Sequence, residues 1–457
     1  MRRSRARMRR LPLQPREQIA QPAALIALLL AIGCTTQNPA RSCADGTCSD
    51  DSFPYCDVDG AVTGEPFTCI AVSCEPGEIV ACSEGGQAIT CNSTGDSLDT
   101  LSCDYGSCLG TPTPHCPYLE PQYLPDVCDV TAPIPELSIS NSGSFDTGLD
   151  TNCTGGVVSQ AGGPDICVVR YGSIRIEQDV ELTVVGTRAL ALVADEDLVV
   201  KGVFDVSGTG RTNGPGGGVI VSGGREGNVT GGGGPGFKTP GGSGGTATED
   251  GGALNFGPAS LNPAQLPALV GGPRSQGADA TTNNSGGSGG AATLISCRGR
   301  VVVTGVLDAG GGGGGSGFNF AGVAVIGGCG GGAGGYLVLQ GLAVVVEGQV
   351  FANGGGGGGG RPSNAQKGSD GGDAPRSMFG GFGGLSQNAG DGAGGSGGSI
   401  MSMPQLGKRS TNPAASAGGG GGSMGFFQSY TPIDVTPVLT PSEESPPFEE
   451  NLNVNTR

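Results

Sequence analysis

Cysteine, histidine and the carboxylates are the residues of this chain whose types and spacing could do chemistry. The 457 residues include 16 Cys but a single His. That residue, His115, sits in the Pro-rich stretch TPTPHCPY. Any Ser-His-Asp or Cys-His centre would need it, and on such a stretch it reads as an exposed loop residue. Eleven of the cysteines fall between Cys43 and Cys128, and C-x4-C recurs at Cys43/Cys48, Cys69/Cys74 and Cys103/Cys108. Zinc modules commonly use C-x2-C pairs, and none occurs here. A disulfide framework is the expected reading. Fifteen cysteines remain beyond Cys34 (16 − 1), so one is odd. Cys153 with Cys167, and Cys297 with Cys329, are candidate pairs, but connectivity is not written in spacing. Asp205 and Asp308 hold equivalent positions in a repeat and could stack as a carboxylate pair, with turn capping as the simpler role. Asp370, Asp373 and Asp391 could offer oxygen to Ca²⁺, but they lack the nonapeptide calcium spacing and read as solvated loops. Gly236-Phe237-Lys238-Thr239 has a P-loop look, yet its Gly is not adjacent to Lys and Pro240 follows. No catalytic, cofactor or metal site is expected, and the chain is not read as an enzyme.

Residues 1–16 carry seven Arg, and Pro22 to Gly33 (PAALIALLLAIG) is apolar. That run is too short to span a bilayer, which takes about 20 residues. A signal peptide fits the charge order and the small residue at its end. The next residue is Cys34, and Leu30-Ala31-Ile32-Gly33-Cys34 resembles the bacterial lipobox, with Ala31 where Leu is usual. The resemblance implies cleavage after Gly33 and fatty acylation of Cys34. Thr35 in place of Asp favours the outer membrane, on its cell-surface or periplasmic face.

Charge excludes other destinations. The net charge is −17, and residues 1–33 hold seven Arg and one Glu, so their removal leaves −17 − 6 = −23. Such a surface as a whole repels nucleic-acid phosphates and anionic lipid headgroups. No nucleic-acid partner is expected.

The elements that must position these residues are strands. Ser173–Glu177 and Val180–Val184 alternate with period two. Leu198–Val206, Val301–Ala309 and Val344–Ala352 align as three apolar residues, a polar one, Gly, any residue and an apolar one. Leu192, Leu294-Ile295 and Leu337–Leu339 lie upstream at matching offsets, and MGFFQSY (Met424–Tyr430) reads as a last copy. GPGGGVIVSG (Gly214–Gly223) reads as an extra copy within the longest interval. Self-similarity at this spacing indicates stacked units. Gly202, Gly305 and Gly348 are expected at corners needing φ > 0 or close backbone approach. Of 93 Gly, 75 lie between Gly202 and Gly425. Disorder would suit such runs. Their regular alternation with strands favours partial polyproline-II-like packing over pure disorder, since only Gly lets backbones approach so closely.

The expected fold is therefore mostly β: a parallel β-helix-like solenoid with long Gly-rich inserts, preceded by a small disulfide-rich module. The expected organisation is a signal peptide (1–33), a lipidated Cys and tether (34–42), the disulfide module (43–130), the solenoid (131–430) and a Pro-rich acidic tail (431–457), read as disordered or loosely docked.

With Cys34, the cysteine module and the glycine-punctuated strands in place, the chain resembles the Gly-rich, Cys-rich surface lipoproteins of myxobacteria-type Gram-negative bacteria. GGxGG at Gly286–Gly290, Gly331–Gly335 and Gly394–Gly398 is similar to the repeats of PGRS-type domains. Some relatives carry a "tryptophan synthase alpha chain" name, but a (β/α)8 barrel needs eight amphipathic helices and the sequence offers almost none. The expected role is a lipid-anchored envelope protein in structure or adhesion. Its expected partners are membrane lipid through Cys34 and extracellular polysaccharide or other surface proteins. The alternative is a carbohydrate-binding or carbohydrate-cleaving β-helix protein, for which no aromatic platform is evident among 21 aromatic residues without Trp (7 Tyr + 14 Phe).

Overall fold

The computed structural model describes residues 42–456, apart from 44–45, 51, 54, 72–73, 75–76, 93–94, 96, 104–106, 111–112, 130–134, 219–228, 247–265, 276–283, 321–323, 362–366, 387–390 and 412–414. The signal peptide and Cys34 lie outside the described residues, as does part of the Gly214–Gly223 copy. The chain divides into two compact units, Met1–Val72 and Ser73–Arg457.

The described part of the first unit is small. Tyr55–Asp57 and Thr68–Ile70 pair antiparallel, and Cys43–Cys56 and Cys48–Cys69 tie each of them to the segment that precedes them. Asp57 is buried and accepts from the Val62 and Thr63 amides and the Thr63 hydroxyl at 2.7–3.1 Å. With so little core, the bridges and this one carboxylate fix the loop.

The second unit opens with an antiparallel meander, Ile79–Cys82, Ala88–Cys91 and Leu98–Leu101. Cys74–Cys91, Cys82–Cys108 and Cys103–Cys116 staple it. None of the C-x4-C spacings is itself a bridge. Cys153–Cys167 forms as expected. The other candidate pair does not: Cys297 bonds Cys128, while Cys329 is buried outside the seven bridges. Leu119–Glu120 pairs with Asn455–Thr456, and the Leu119 amide donates to the Cys297 carbonyl. That strap brings Cys128 onto the outer face of the sheet carrying Cys297.

Beyond residue 135 the chain visits three parallel sheets in turn. Ala189–Ala194, Leu198–Val200 and Val203–Asp205 each enter a different sheet. Ala291–Ser296, Arg300–Val303 and Val306–Asp308 follow them in register, then Tyr336–Gln340, Ala343–Val346 and Gln349–Phe351. Leu198 pairs Val301, which pairs Val344, the register in which the repeat aligns by sequence. Leu192, Leu294 and Leu339 likewise stack. Phe426–Thr431 adds the next strand to the first sheet.

Burial explains the strand compositions. The first sheet is covered on both faces, so its strands read as unbroken apolar runs such as ALALVA. Leu190, Leu192 and Leu294 meet Val301, Val303, Leu307 and Val350 from the other two sheets. Its opposite face takes Leu119, Leu124, Phe237 and Leu269. The other two sheets face solvent on one side, and their strands alternate, as in Ala343–Val346. Gly202, Gly305 and Gly348 do sit at corners, through close approach and not positive φ. A Cβ on Gly305 would lie 1.9 Å from the Gly202 carbonyl, and one on Gly348 1.9 Å from that of Gly305.

The tail corrects an expectation. Val438–Leu439, Glu443–Ser445 and Leu452–Asn453 each extend one of the three sheets. Phe448 packs on Phe427 at 5.4 Å between ring centroids. The last strands of a parallel stack leave donors and acceptors open. A short polar segment serves as their cover, and its Pro residues fall between the pairing stretches.

Candidate functional site

The glycine segments all leave the third sheet and return to the first: residues 206–290, 309–335 and 352–425. They therefore emerge side by side and pack as a lattice of extended runs. Gly354–Gly360 is its centre. The amides of Gly354, Gly357 and Gly360 donate to Gly398, Gly395 and Gly392; those of Gly355 and Gly358 to Gly332 and Cys329; those of Gly356 and Gly359 to Gly372 and Ser369. Its carbonyls accept in the same rotation, from Gly314 and Gly317, from Gly381 and Gly384, and from Gly422 and Gly419, all at 2.7–2.9 Å. Every third residue addresses the same neighbour, the three-per-turn repeat of a polyproline-II helix, which has no internal hydrogen bonds. Adjacent outer runs bond one another too: Gly371 to Gly314, Gly372 to Phe382, Gly394 to Gly384, Gly395 to Gly419, Gly331 to Gly420, and Gly332 to Gly312. Six runs thus encircle one. Among the described residues the glycine runs are packed, and the steric reason is visible. A Cβ on Gly354, Gly356 or Gly358 would lie 2.0 Å from a neighbouring carbonyl oxygen.

The sequence-level candidates are spent on this architecture. Asp370 and Asp373, three apart, stand where a further run would present carbonyls. Asp373 Oδ1 accepts from the Gly313 and Gly210 amides, and Asp370 Oδ1 from Ser316, each at 2.7 Å. Burial alone would raise the Asp370 pKa, but the Ser316 hydrogen bonds, Lys367 and Arg211 hold it below the usual range. Asp391 accepts from the Thr411 amide and hydroxyl. These side chains terminate ladders.

Asp205 and Asp308 do stack, paired across parallel strands. One oxygen of each caps a turn, taking the amide of Ser207 at 2.8 Å and of Gly310 at 2.9 Å. The other oxygens meet Arg376, which reaches from the glycine segment. Its Nη2 lies 2.9 Å from Asp205 and 2.5 Å from Glu181, and its Nε lies 2.8 Å from Asp308. Burial, then the Asp205 charge, raises the Asp308 pKa to about 6 against the pull of Arg376. Burial would lower the Arg376 pKa, but Glu181 and Asp308 hold its guanidinium protonated. No sequence signal named Arg376.

The remaining candidates are fasteners. Phe237 packs edge-on against Phe426 at 4.7 Å, Lys238 pairs with Glu449 and donates to the Pro447 carbonyl, and Thr239 meets Ser423. That stretch pins the tail. His115 is half-buried rather than exposed, its Nδ1 2.6 Å from the Thr113 carbonyl and its ring 5.4 Å from Tyr118. Tyr123 and Tyr336, hydroxyls 3.2 Å apart, form a cluster with Tyr430 that sequence reasoning missed. Burial pushes all three phenols up, so they stay protonated. A groove of about 550 Å³ is walled by Leu124, Val127, Val158 and Val168. Arg170 at its end is committed to Asp195 at 2.5 Å.

No family model, curated protein or solved structure matches the chain.

Proposed function

We propose that this chain is a lipid-anchored envelope protein whose work is structural display and interaction, built as a parallel β-helix-like solenoid with a glycine lattice on one corner. One observation carries the reading. The side chains best placed by sequence for chemistry (Asp205, Asp308, Asp370, Asp373, Asp391 and Lys238) are each engaged in holding the fold. The seven disulfides among the described residues suit an oxidising compartment, as export through the Cys34 lipobox would imply. The glycan-cleaving alternative would draw on the Asp205–Asp308 pair, and both carboxyls are buried against Arg376.

Mass spectrometry of the native N-terminus tests the anchor. A mature chain beginning at Cys34 with fatty acyl mass supports it; an unmodified N-terminus at any other residue overturns it. Incubation with pectic and uronic polysaccharides tests the display role, because reproducible new reducing ends would mean an enzyme.

A further inference from the structure

The outer layer of the glycine lattice has an unusual surface. Runs 381–385, 392–398 and 403–408 lie side by side, Gly394 and Gly397 donating to Gly384 and Gly381, and Gln405 and Lys408 to Ser396 and Ala393. The outer two runs and the turns leading into them carry Phe379, Phe382, Leu385, Met401, Met403 and Leu406, all 55–72% exposed. Phe382 and Leu385 are spaced by three, so they project from one side of their run about 9 Å apart, and Phe379 lies in the bend that leads into it. Exposed apolar groups this concentrated mark an interaction surface.

Charge indicates what covers it. The chain as a whole carries −17, yet residues 377–411 hold Lys408 and Arg409 against Asp391 alone, 2 − 1 = +1. The Asp391 carboxylate is taken by Thr411. Large aliphatic and Phe side chains with neighbouring cations match the boundary between acyl chains and anionic headgroups. We infer that this layer docks on a lipid bilayer, inserting the Phe379–Phe382–Leu385 row at the headgroup boundary. The anchor reading enters only in bringing the layer to a membrane.

The chain contains no Trp, so Phe382→Trp in the full-length protein installs a sole indole reporter. Unlipidated Cys34→Ser protein carrying it is mixed with phosphatidylcholine–phosphatidylglycerol vesicles with brominated acyl chains. A blue shift and at least about twofold quenching are expected. Ile433→Trp, at an exposed site elsewhere, should stay unquenched. Adding Leu385→Asp to the Phe382→Trp protein should weaken vesicle binding about tenfold, the scale of one buried side chain. A silent indole in the Phe382→Trp protein, equal quenching in the Ile433→Trp protein, or a response to insoluble polysaccharide in place of vesicles overturns the proposal. The two readings fail separately. Lipidated Phe382→Trp protein that floats with vesicles while its indole stays silent keeps the anchor and sinks the docking face. Quenching of that indole alongside an unmodified native N-terminus does the reverse.

Discussion

In the three-sheet body, Leu307 and Val350 fill the space between strands with side chains; in the glycine lattice, Gly354–Gly360 leave no space to fill. Both regions satisfy their backbones, one by ladders about a core, the other by bonds to six neighbours. The body gains roughly 1.5–3 kcal/mol from each large apolar side chain it buries. The lattice buries mostly small side chains such as Cys329, Ala333 and Ala417 and orders glycine, the residue with most backbone freedom to lose. Its stability must come from complete hydrogen bonding, close contact and weak Cα–H···O attraction. A core tolerates imperfect shape at modest cost. A lattice whose walls are carbonyl oxygens about 2 Å from each missing Cβ does not.

The sharpest break should therefore come at Gly357. Its Cβ would lie 2.2 Å from the Gly419 oxygen, and that wall is backbone held by other runs. Gly357→Val is expected to cost at least about 4 kcal/mol, with faster amide exchange across residues 392–398. Val345→Ile on the half-exposed second sheet should stay within about 0.5 kcal/mol. Urea unfolding of both variants checks the contrast, and equal costs would contradict the lattice geometry. Leu307→Ala, which opens a cavity at the centre of the body, comes next at about 3 kcal/mol.

Asp308 joins the two regions, and its effect should be smaller and pH-dependent. Its pKa is about 6 in the folded chain against an ordinary 3.8. A raised folded pKa means the folded state holds the proton more tightly. The stability this carboxyl contributes is thus fully present below pH 3.8 and lost as pH rises through 6. The difference across that window is on the order of 3 kcal/mol. Asp308→Asn cannot ionise, so its Tm should fall less than wild type between about pH 4 and about pH 7. Parallel Tm–pH curves would show that Arg376 fully offsets the burial of the charge.

The body was legible because its repeat is local and apolar: Leu198, Val301 and Val344 align in sequence as they pair in space. The lattice was legible in kind, since only glycine permits such approach, but not in neighbours. Glycine has no side chain to carry a pairing code, so nothing told Gly357 to meet Gly395. Arg376 was invisible for a related reason: it lies 68 residues from Asp308, inside an insert. Cys297 and Cys329 are close in sequence, while the bridge to Cys128 closes over 169 residues through a strap that spacing does not announce. The tail misled because its Pro and Glu content suits a disordered segment, whereas the stack needed only short pairing stretches there.

The smallest stability effect should fall within the lattice itself, one residue from a forbidden position. In run 381–385, a Cβ on Gly381 or Gly384 would lie 2.2 Å from the Gly372 or Ser369 oxygen. Phe382 between them is 70% exposed. The three-residue turn thus sorts positions of one run into those that admit no side chain and those that admit any. Phe382→Ser should change unfolding free energy by less than about 0.5 kcal/mol, measured by urea titration, while removing part of the exposed apolar row. A cost above about 2 kcal/mol would mean that the ring packs against the lattice, and that the row belongs to the fold and not to a partner.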